Sequence, residues 1–177
     1  MRQTSRRVTR RCQTRRMLHV AFFRNLNQGQ RNNPGSAALI AAFEAHGATE
    51  VRLVRGNGTA LFSATAPRAT AEAAASALTG SGWSDIVLVR SVHQISEILK
   101  RVGDEDHRNL EVTLFDEALT PQLPLAGRRC EAIAVGPGYA IVANERDNES
   151  GGTSALERAL GVKATSRGPG TVRMLVR

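Results

Sequence analysis

Apolar positions along the chain alternate between a spacing typical of β-strands and a spacing typical of α-helices. The short run Leu18 to Phe23 predicts a buried strand. The turn Pro34-Gly35-Ser36 then supplies an N-cap for a helix that ends at Gly47. The chain therefore starts its ordered part with a strand, a long polar loop and a helix.

A hairpin, a second helix and a further strand follow. Val51 to Arg55 and Thr59 to Ala64 are predicted strands, and Gly56-Asn57-Gly58 joins them, because Asn-Gly tolerates the backbone of a tight turn. Pro67 to Thr79 is an Ala-rich helix, and Ile86 to Val89 is the next strand. The order β-α-β-β-α-β over residues 18 to about 90 predicts a ferredoxin-like (split βαβ) unit, with two helices on one face of an antiparallel sheet.

The remaining residues nearly repeat this theme. Ser91 and Gln94 have the spacing of a capping box, as do Ser154 and Glu157. The predicted elements are a helix at Ser91 to Val102, strands at Leu110 to Phe115, Glu131 to Val135 and Tyr139 to Ala143, a helix from Ser154 to Leu160 that Gly161 ends, and a last apolar segment from Thr171 to Val176. We predict an α+β protein of two ferredoxin-like halves with antiparallel sheets, at residues 17–90 and 91–177.

The positive charge is concentrated at the amino terminus. The chain of 177 residues has 24 basic and 16 acidic residues, but seven of the arginines lie in residues 1–16, where there is no acidic residue. From Met17 onward 17 basic residues face 16 acidic ones, so the body has no broad cationic face for nucleic acid. With seven aromatic residues in all, the body also lacks the stacking surface of an RNA-binding sheet.

Residues 1–16 form a basic extension, which we expect to be disordered, and three interpretations of it remain open. It is a misread start with Met17 as the true initiator, a targeting peptide, or a basic arm that contacts RNA or DNA. The sharp change in composition at Met17 favours the first, and the near absence of apolar residues counts against the second. Nucleic-acid contact is expected only through these residues.

Common catalytic and metal-binding motifs are missing from the sequence. There is no nucleophile elbow, no phosphate-binding loop of the Gly-x-x-x-x-Gly-Lys-Ser type and no Cys-x-x-Cys pair. Asp104-Glu105-Asp106-His107 is interpreted as a solvated loop, since no second group of ligands stands at a motif spacing. Two cysteines, Cys12 and Cys130, indicate a reducing, cytoplasmic compartment. No apolar run is long enough for a membrane span, and we expect no metal and no cofactor.

The loop at residues 24–33 is the one polar segment that suggests a ligand. It contains two arginines and several Asn, Gln and Gly residues, and it leads from a strand end to a helix start. Backbone amides and a helix dipole can hold an anion at such a place, and Arg24 would add a bidentate donor. The alternative is that its amide side chains only hold the loop together.

Three segments in register resemble a known family. Phe22 to Gly29 looks like the strand-plus-loop signature of the bacterial domain of unknown function 1697 (DUF 1697) family, and Arg55-Gly56-Asn57 with Leu61-Phe62 is similar to its hairpin. Ala155 to Arg167 resembles its C-terminal helix and Thr-x-Arg stretch. The resemblance extends from Met17 to Arg177 and implies two ferredoxin-like halves, a start at Met17 and no established activity.

The resemblance also implies a set of candidate ligand-binding residues. The motif positions that this chain retains are Arg24, Asn27, Gly29, Gly56, Asn57 and Arg167. It departs from the family at Asn25 and Gln30, where glycine is usual, and at Gly168-Pro169-Gly170, where Asn-Trp-Asn is usual. We expect Arg24 and Arg167 to converge with Asn57 on one cleft.

Arg, Asn and Gly do not exchange protons near neutral pH, so this set favours binding over catalysis. We therefore predict a non-catalytic module that binds a small anionic ligand or a nucleotide. The alternatives are a small enzyme of unknown reaction that uses Arg24, Asn27, Asn57 and Arg167, or nucleic-acid contact through residues 1–16. Neither the ligand nor the oligomeric state follows from the sequence.

Overall fold

The computed structural model describes residues 17–103 and 108–177. The basic extension at residues 1–16 and the acidic segment at residues 104–107 lie outside the described residues. The strands are β1 (Leu18–Phe23), β2 (Thr49–Leu53), β3 (Thr59–Ser63), β4 (Val87–Ser91), β5 (Leu110–Leu114), β6 (Ala126–Gly127), β7 (Cys130–Gly136), β8 (Tyr139–Asn144) and β9 (Thr165–Arg167). The helices are α1 (Ser36–Ala45), α2 (Pro67–Ala77), α3 (Val92–Val102), α4 (Gly152–Leu160) and α5 (Pro169–Arg173).

The first sheet has four antiparallel strands in the order β2-β3-β1-β4. Val20, in the central strand β1, lies opposite Leu61 of β3 on one side and Arg90 of β4 on the other. Helices α1 and α2 pack on one face through a cluster that includes Phe23, Phe43 and Trp83. The predicted element order β-α-β-β-α-β over this part of the chain is confirmed. We call β1 to β4 with α1 and α2 the first unit, and α3 to the carboxyl terminus the second unit.

The second sheet does not repeat the first. Its five antiparallel strands have the order β6-β7-β8-β5-β9, and no helix joins β5 to β6 or β7 to β8. The spacing of apolar residues did not predict two of its strands. Strand β6 has only two residues, and β9, Thr165-Ser166-Arg167, is polar. The α+β class with two antiparallel sheets is confirmed, whereas the two ferredoxin-like halves are not.

The buried apolar residues of the described chain form three clusters, which pack the helices and the two sheets against one another. The middle cluster joins Val20, Phe22 and Leu61 of the first sheet to residues such as Val112 and Ile141 of the second sheet. Ile95 and Ile98 of α3, Val172 of α5 and Leu175 after α5 belong to the same cluster. The predicted last apolar segment, Thr171 to Val176, overlaps the short helix α5 and adds Val172 and Leu175 to this core, whereas Met174 and Val176 are exposed. A third cluster packs α4 on the other face of the second sheet.

The predicted capping box of α3 is confirmed, but that of α4 is wrong. Ser91 Oγ accepts a hydrogen bond from the Gln94 amide at 3.1 Å, and the Gln94 side chain accepts one from the Ser91 amide. Helix α4 instead begins at Gly152, two residues before Ser154. The backbone N–H groups of Gly151, the N-cap residue, and Gly152 donate to the side chains of Asn144 in β8 and Glu111 in β5. A tertiary contact has replaced the local cap.

The N-cap of α1 lies within the predicted turn Pro34-Gly35-Ser36. Gly35 is the N-cap residue, and no side chain of the described residues caps this end of the helix. Ser36 is the first helical residue, and its hydroxyl donates to Gln28 Oε1 at 2.9 Å. The first turn of α1 thus has backbone amides without a side-chain cap among the described residues.

Within the described residues, no helix combines the length and the apolar composition needed to cross a bilayer.

The two serines allow a direct test of these helix ends. Ser91→Ala should lower the free energy of unfolding by about 1 kcal/mol, because it removes a true N-cap. Ser154→Ala should change it by less than about 0.5 kcal/mol, because that hydroxyl only donates to the Gly151 carbonyl on the surface. Urea denaturation of both variants measures the difference, and equal losses would show that Ser154 is a cap after all.

Candidate functional site

The three segments that carry the candidate residues lie side by side. The backbone N–H of Gln28 donates to the Gly56 carbonyl at 2.8 Å and so connects the loop at residues 24–33 to the β2-β3 hairpin. The Phe23 amide donates to the Gly58 carbonyl at 2.8 Å, and the Arg167 guanidinium donates to both the Phe23 and Gly58 carbonyls. The first and second units therefore meet at these loops.

Gly58 shows why the hairpin needs glycine. Its φ is +65°, and a Cβ added there would lie 2.9 Å from the Leu26 carbonyl oxygen and 3.1 Å from Phe23 Cβ. A side chain would be both strained and obstructed. The close packing of hairpin against loop thus depends on this position.

Arg24 lies at the end of β1 and joins the two units through carboxylates. Its Nη1 is 2.5 Å from Asp85 Oδ2 in the first unit, and its Nε is 2.8 Å from Glu157 Oε1 of α4 in the second. Nη2 donates to the other oxygen of Glu157, and Nε also reaches the Ala164 carbonyl. All three nitrogens have protein acceptors, so an external anion would have to displace a carboxylate.

These contacts change the acidity of the groups involved. Hydrogen bonding to Glu157 raises the pKa of Arg24. Burial alone would raise the pKa of both carboxyls, but the hydrogen bonds from Lys163 and Arg24 lower the pKa of Asp85 below its ordinary value. Hydrogen bonds from Arg24 and from the Ala164 amide do the same for the pKa of Glu157. Both acids are therefore ionised at neutral pH.

Arg167 is a buried cation that pairs with no carboxylate of the described residues. A guanidinium has five N–H groups, and here each has its own acceptor. The acceptors are Thr59 Oγ1, Thr165 Oγ1 and the carbonyls of Ser166, Phe23 and Gly58, at 2.7 to 3.3 Å. The Phe22 ring lies below, 5.7 Å from Cζ. Burial lowers the pKa of Arg167 to about 10, so it keeps its charge at neutral pH.

The other candidate residues lie nearer the surface. Asn57 is half-buried and accepts a hydrogen bond from Thr59 Oγ1 at 2.9 Å, so one hydroxyl links it to Arg167. Asn27, Gly29 and Gly56 are exposed on the two joined loops. The structure brings Asn57 close to Arg167, but both arginines of the set face protein acceptors.

Arg90 is a third arginine between the units, and sequence reasoning missed it. It belongs to β4 and is 3% exposed. Its Nη2 donates to the Phe115 and Gly138 carbonyls of the second unit, and its Nε lies 3.3 Å from Glu117 Oε1. The signal in the sequence was a charged residue at the end of the apolar run Val87-Leu88-Val89.

Gln28 is the second residue that sequence reasoning did not single out. Its Oε1 accepts from Ser36 at the start of α1, but its Nε2 is buried and has no hydrogen-bond partner among the described residues. A buried amide nitrogen without an acceptor costs about 1–3 kcal/mol.

Cys130 is buried beside Gly151 and Gly127, and burial raises the pKa of its thiol. Such a thiol is unreactive. Among residues 17–103 and 108–177, no three His, Cys, Asp or Glu side chains are placed to share a metal ion.

The buried arginine gives a prediction on stability. Arg167→Lys keeps the charge but has at most three donors for five acceptors, so it should lower the free energy of unfolding by about 2–4 kcal/mol. The control is Arg55→Lys, an exposed position on the adjoining hairpin, where the loss should stay below about 0.5 kcal/mol. Urea denaturation compares the two, and an Arg167→Lys variant as stable as wild type would contradict a structural role for this guanidinium.

The carboxylates around Arg24 give a prediction on pH. Folding lowers the pKa of Asp85 and of Glu157 from the ordinary values of 3.8 and 4.5, so their contribution to stability is full above those values. It is lost as the pH falls through the lower pKa values of the folded state. We expect the free energy of unfolding to decrease below about pH 5, less steeply in Glu157→Gln than in wild type. The exposed Glu44→Gln is the charge-matched control and should follow the wild-type slope.

Comparison with known proteins identifies the family. A family described as "Protein of unknown function (DUF1697)" matches residues 17–127. The match covers the strand-plus-loop and hairpin segments that resembled this family, and residues 155–167 lie beyond it. No curated protein and no solved structure matches the chain. Since the match extends over more than half of the chain, the protein belongs to the DUF1697 family, whose function is not known.

Proposed function

We propose that the protein is a non-catalytic module that binds a small anionic ligand, such as a phosphate or a nucleotide, at the loops beside the start of α1. These loops carry Asn27, Gly29, Gly56 and Asn57. The observation that supports this most is Gln28 Nε2, a buried donor without an acceptor among the described residues. Hydrogen bonding to Ser36 holds the Gln28 side chain at the end of α1 that no side chain caps. An anion there would accept from both Gln28 and the helix.

Two exposed arginines supply the charge for such a ligand. Arg31 lies on the loop at residues 24–33, and Arg55 lies on the hairpin. Neither forms an ion pair within the part of the chain that the structure describes. Arg24 and Arg167 then act as supports behind the loops, because their N–H groups already bind protein acceptors.

The lowered pKa of the two carboxyls that contact Arg24 supports binding over catalysis. A general acid at neutral pH needs a raised pKa. Asp85 and Glu157, which lie on either side of Arg24, have a lowered pKa. An enzyme that used the cleft of Arg24, Asn27, Asn57 and Arg167 would have to find its proton donor elsewhere.

We also infer that residues 17–90 are a ferredoxin-like domain. The strand order β2-β3-β1-β4 and the packing of α1 and α2 on one face support this. In such a unit the proposed site lies at the loops between β1 and α1 and between β2 and β3.

Thermal denaturation with added ligand tests the proposal. Phosphate at ten times its dissociation constant should raise Tm by about 3–6 °C relative to sodium chloride of equal ionic strength. AMP and citrate test nucleotides and carboxylates in the same way. The double variant Arg31→Ala/Arg55→Ala should lose the response, while Arg52→Ala/Arg128→Ala, which removes the same charge at exposed positions elsewhere, should keep it.

Gln28→Leu separates a binding role from a structural one. Without ligand this variant should be as stable as wild type or more stable, because it removes an unsatisfied donor. Its response to phosphate should be lost. If none of the three anions raises Tm beyond sodium chloride, or if Gln28→Leu responds as wild type does, the proposed site is wrong.

A further inference from the structure

Tyr139 is the first residue of β8, and its hydroxyl has no hydrogen-bond partner among the described residues. The residue is only 8% exposed, and it belongs to the middle hydrophobic cluster. Among the buried and half-buried residues that the structure describes, Gln28 Nε2 is the only solvent-inaccessible side-chain nitrogen or oxygen atom without a partner. The Tyr139 hydroxyl is therefore accessible from outside, although its ring is packed in the core. A buried tyrosine usually gives its hydroxyl a partner, and here that partner has to come from outside the described chain.

The position of this hydroxyl is fixed by Gly136, the residue of β7 that pairs with Tyr139. A Cβ added to Gly136 would lie 2.6 Å from Cζ of the Tyr139 ring and 2.7 Å from its hydroxyl oxygen. Glycine therefore leaves the space in which the phenol lies against the strand. A donor that packing already holds in place loses little conformational freedom on binding, which favours affinity.

The Tyr139 side chain lines a cavity of about 340 Å³, a volume that suits a small organic ligand. The rest of the lining comes from Arg90, from one face of α3 within residues 93–101 and from the turn between β7 and β8. Ile98 of α3, Pro137 of the turn and the Tyr139 ring are its apolar groups. The cavity thus combines an apolar surface with a hydroxyl that has no partner in the described chain.

The ion pairs of this cavity leave one cation over. Two arginines and one carboxylate line it, apart from a histidine. Arg90 pairs with Glu117, and Glu97 pairs with Lys100, so these charges are compensated. Arg101 is exposed and forms no ion pair within residues 17–103 and 108–177. A guanidinium and a phenol both donate hydrogen bonds, and a carboxylate accepts from both.

We propose that this cavity binds a small carboxylic acid with an apolar body, of the arylacetic acid type. One small molecule fills a cavity of this size, so the same ligand contacts both Arg101 and the Tyr139 hydroxyl. Its carboxylate accepts from these two donors, and its apolar body packs on Ile98 and Pro137. The cavity shares no residue with the loops beside the start of α1, so this site and the proposed function stand or fall separately.

The test titrates the full chain with phenylacetate in a calorimeter. Phenylacetate should bind with a measurable dissociation constant. Phenylacetamide keeps the shape but has no charge, and it should bind at least tenfold more weakly. Acetate and phosphate lack the apolar body, and each should also bind at least tenfold more weakly.

Protein variants assign the binding to this cavity. Tyr139→Phe should weaken phenylacetate binding at least fivefold while Tm stays near wild type, because the lost hydroxyl has no partner among the described residues. Arg101→Gln should weaken it at least tenfold, while Arg128→Gln, at an exposed position elsewhere, should leave it within twofold.

Two cross-checks keep this site apart from the proposed anion site. Tyr139→Phe should keep the response of Tm to phosphate, and Arg31→Ala/Arg55→Ala should keep the affinity for phenylacetate. The proposal is overturned if phenylacetate does not bind, if phenylacetamide binds equally well, or if Tyr139→Phe binds phenylacetate as tightly as wild type does.

Discussion

Arg24, Arg90 and Arg167, which bond across between the units, are the contacts on which the arrangement of this protein depends. Arg90 and Arg167 are almost completely buried, and each donates to backbone carbonyls of the opposite unit. A buried cation is costly unless its donors are satisfied. The loops that present those carbonyls must therefore keep their positions. Arg24 adds a bridge through Glu157 at the edge of the same contact.

This constraint changes the meaning of the arginines in the family-like segments. In the sequence, Arg24 and Arg167 are typical of anion recognition, because a guanidinium binds carboxylates and phosphates bidentately. In the structure they use that capacity internally, on Glu157 and on a ring of carbonyl and hydroxyl oxygens. By contrast, the side-chain nitrogen of Gln28 is buried and has no hydrogen-bond partner within the described residues.

The protein has two surfaces of different chemistry. The loops at the start of α1 present amides and the exposed side chains of Arg31 and Arg55, which suit an anion. A groove along β4 is lined by three cations and three carboxylates beside the open edge of the strand. The same interface between the units shapes both, since Arg167 supports the loops and Arg90 forms part of the groove.

The sequence by itself determined the elements whose signals are local. The alternation of apolar residues located β1 to β4, the Ser91 and Gln94 spacing located the start of α3, and Gly161 located the end of α4 with a φ of +68°. The family was also recognisable from short segments. Tertiary structure decided what depends on distant residues: the strand order of the second sheet, the capping of α4 by Glu111 instead of Ser154, and the acceptors of the three arginines. A periodic pattern shows which face of an element is buried, but the partner of a buried polar group is chosen only when distant segments pack together.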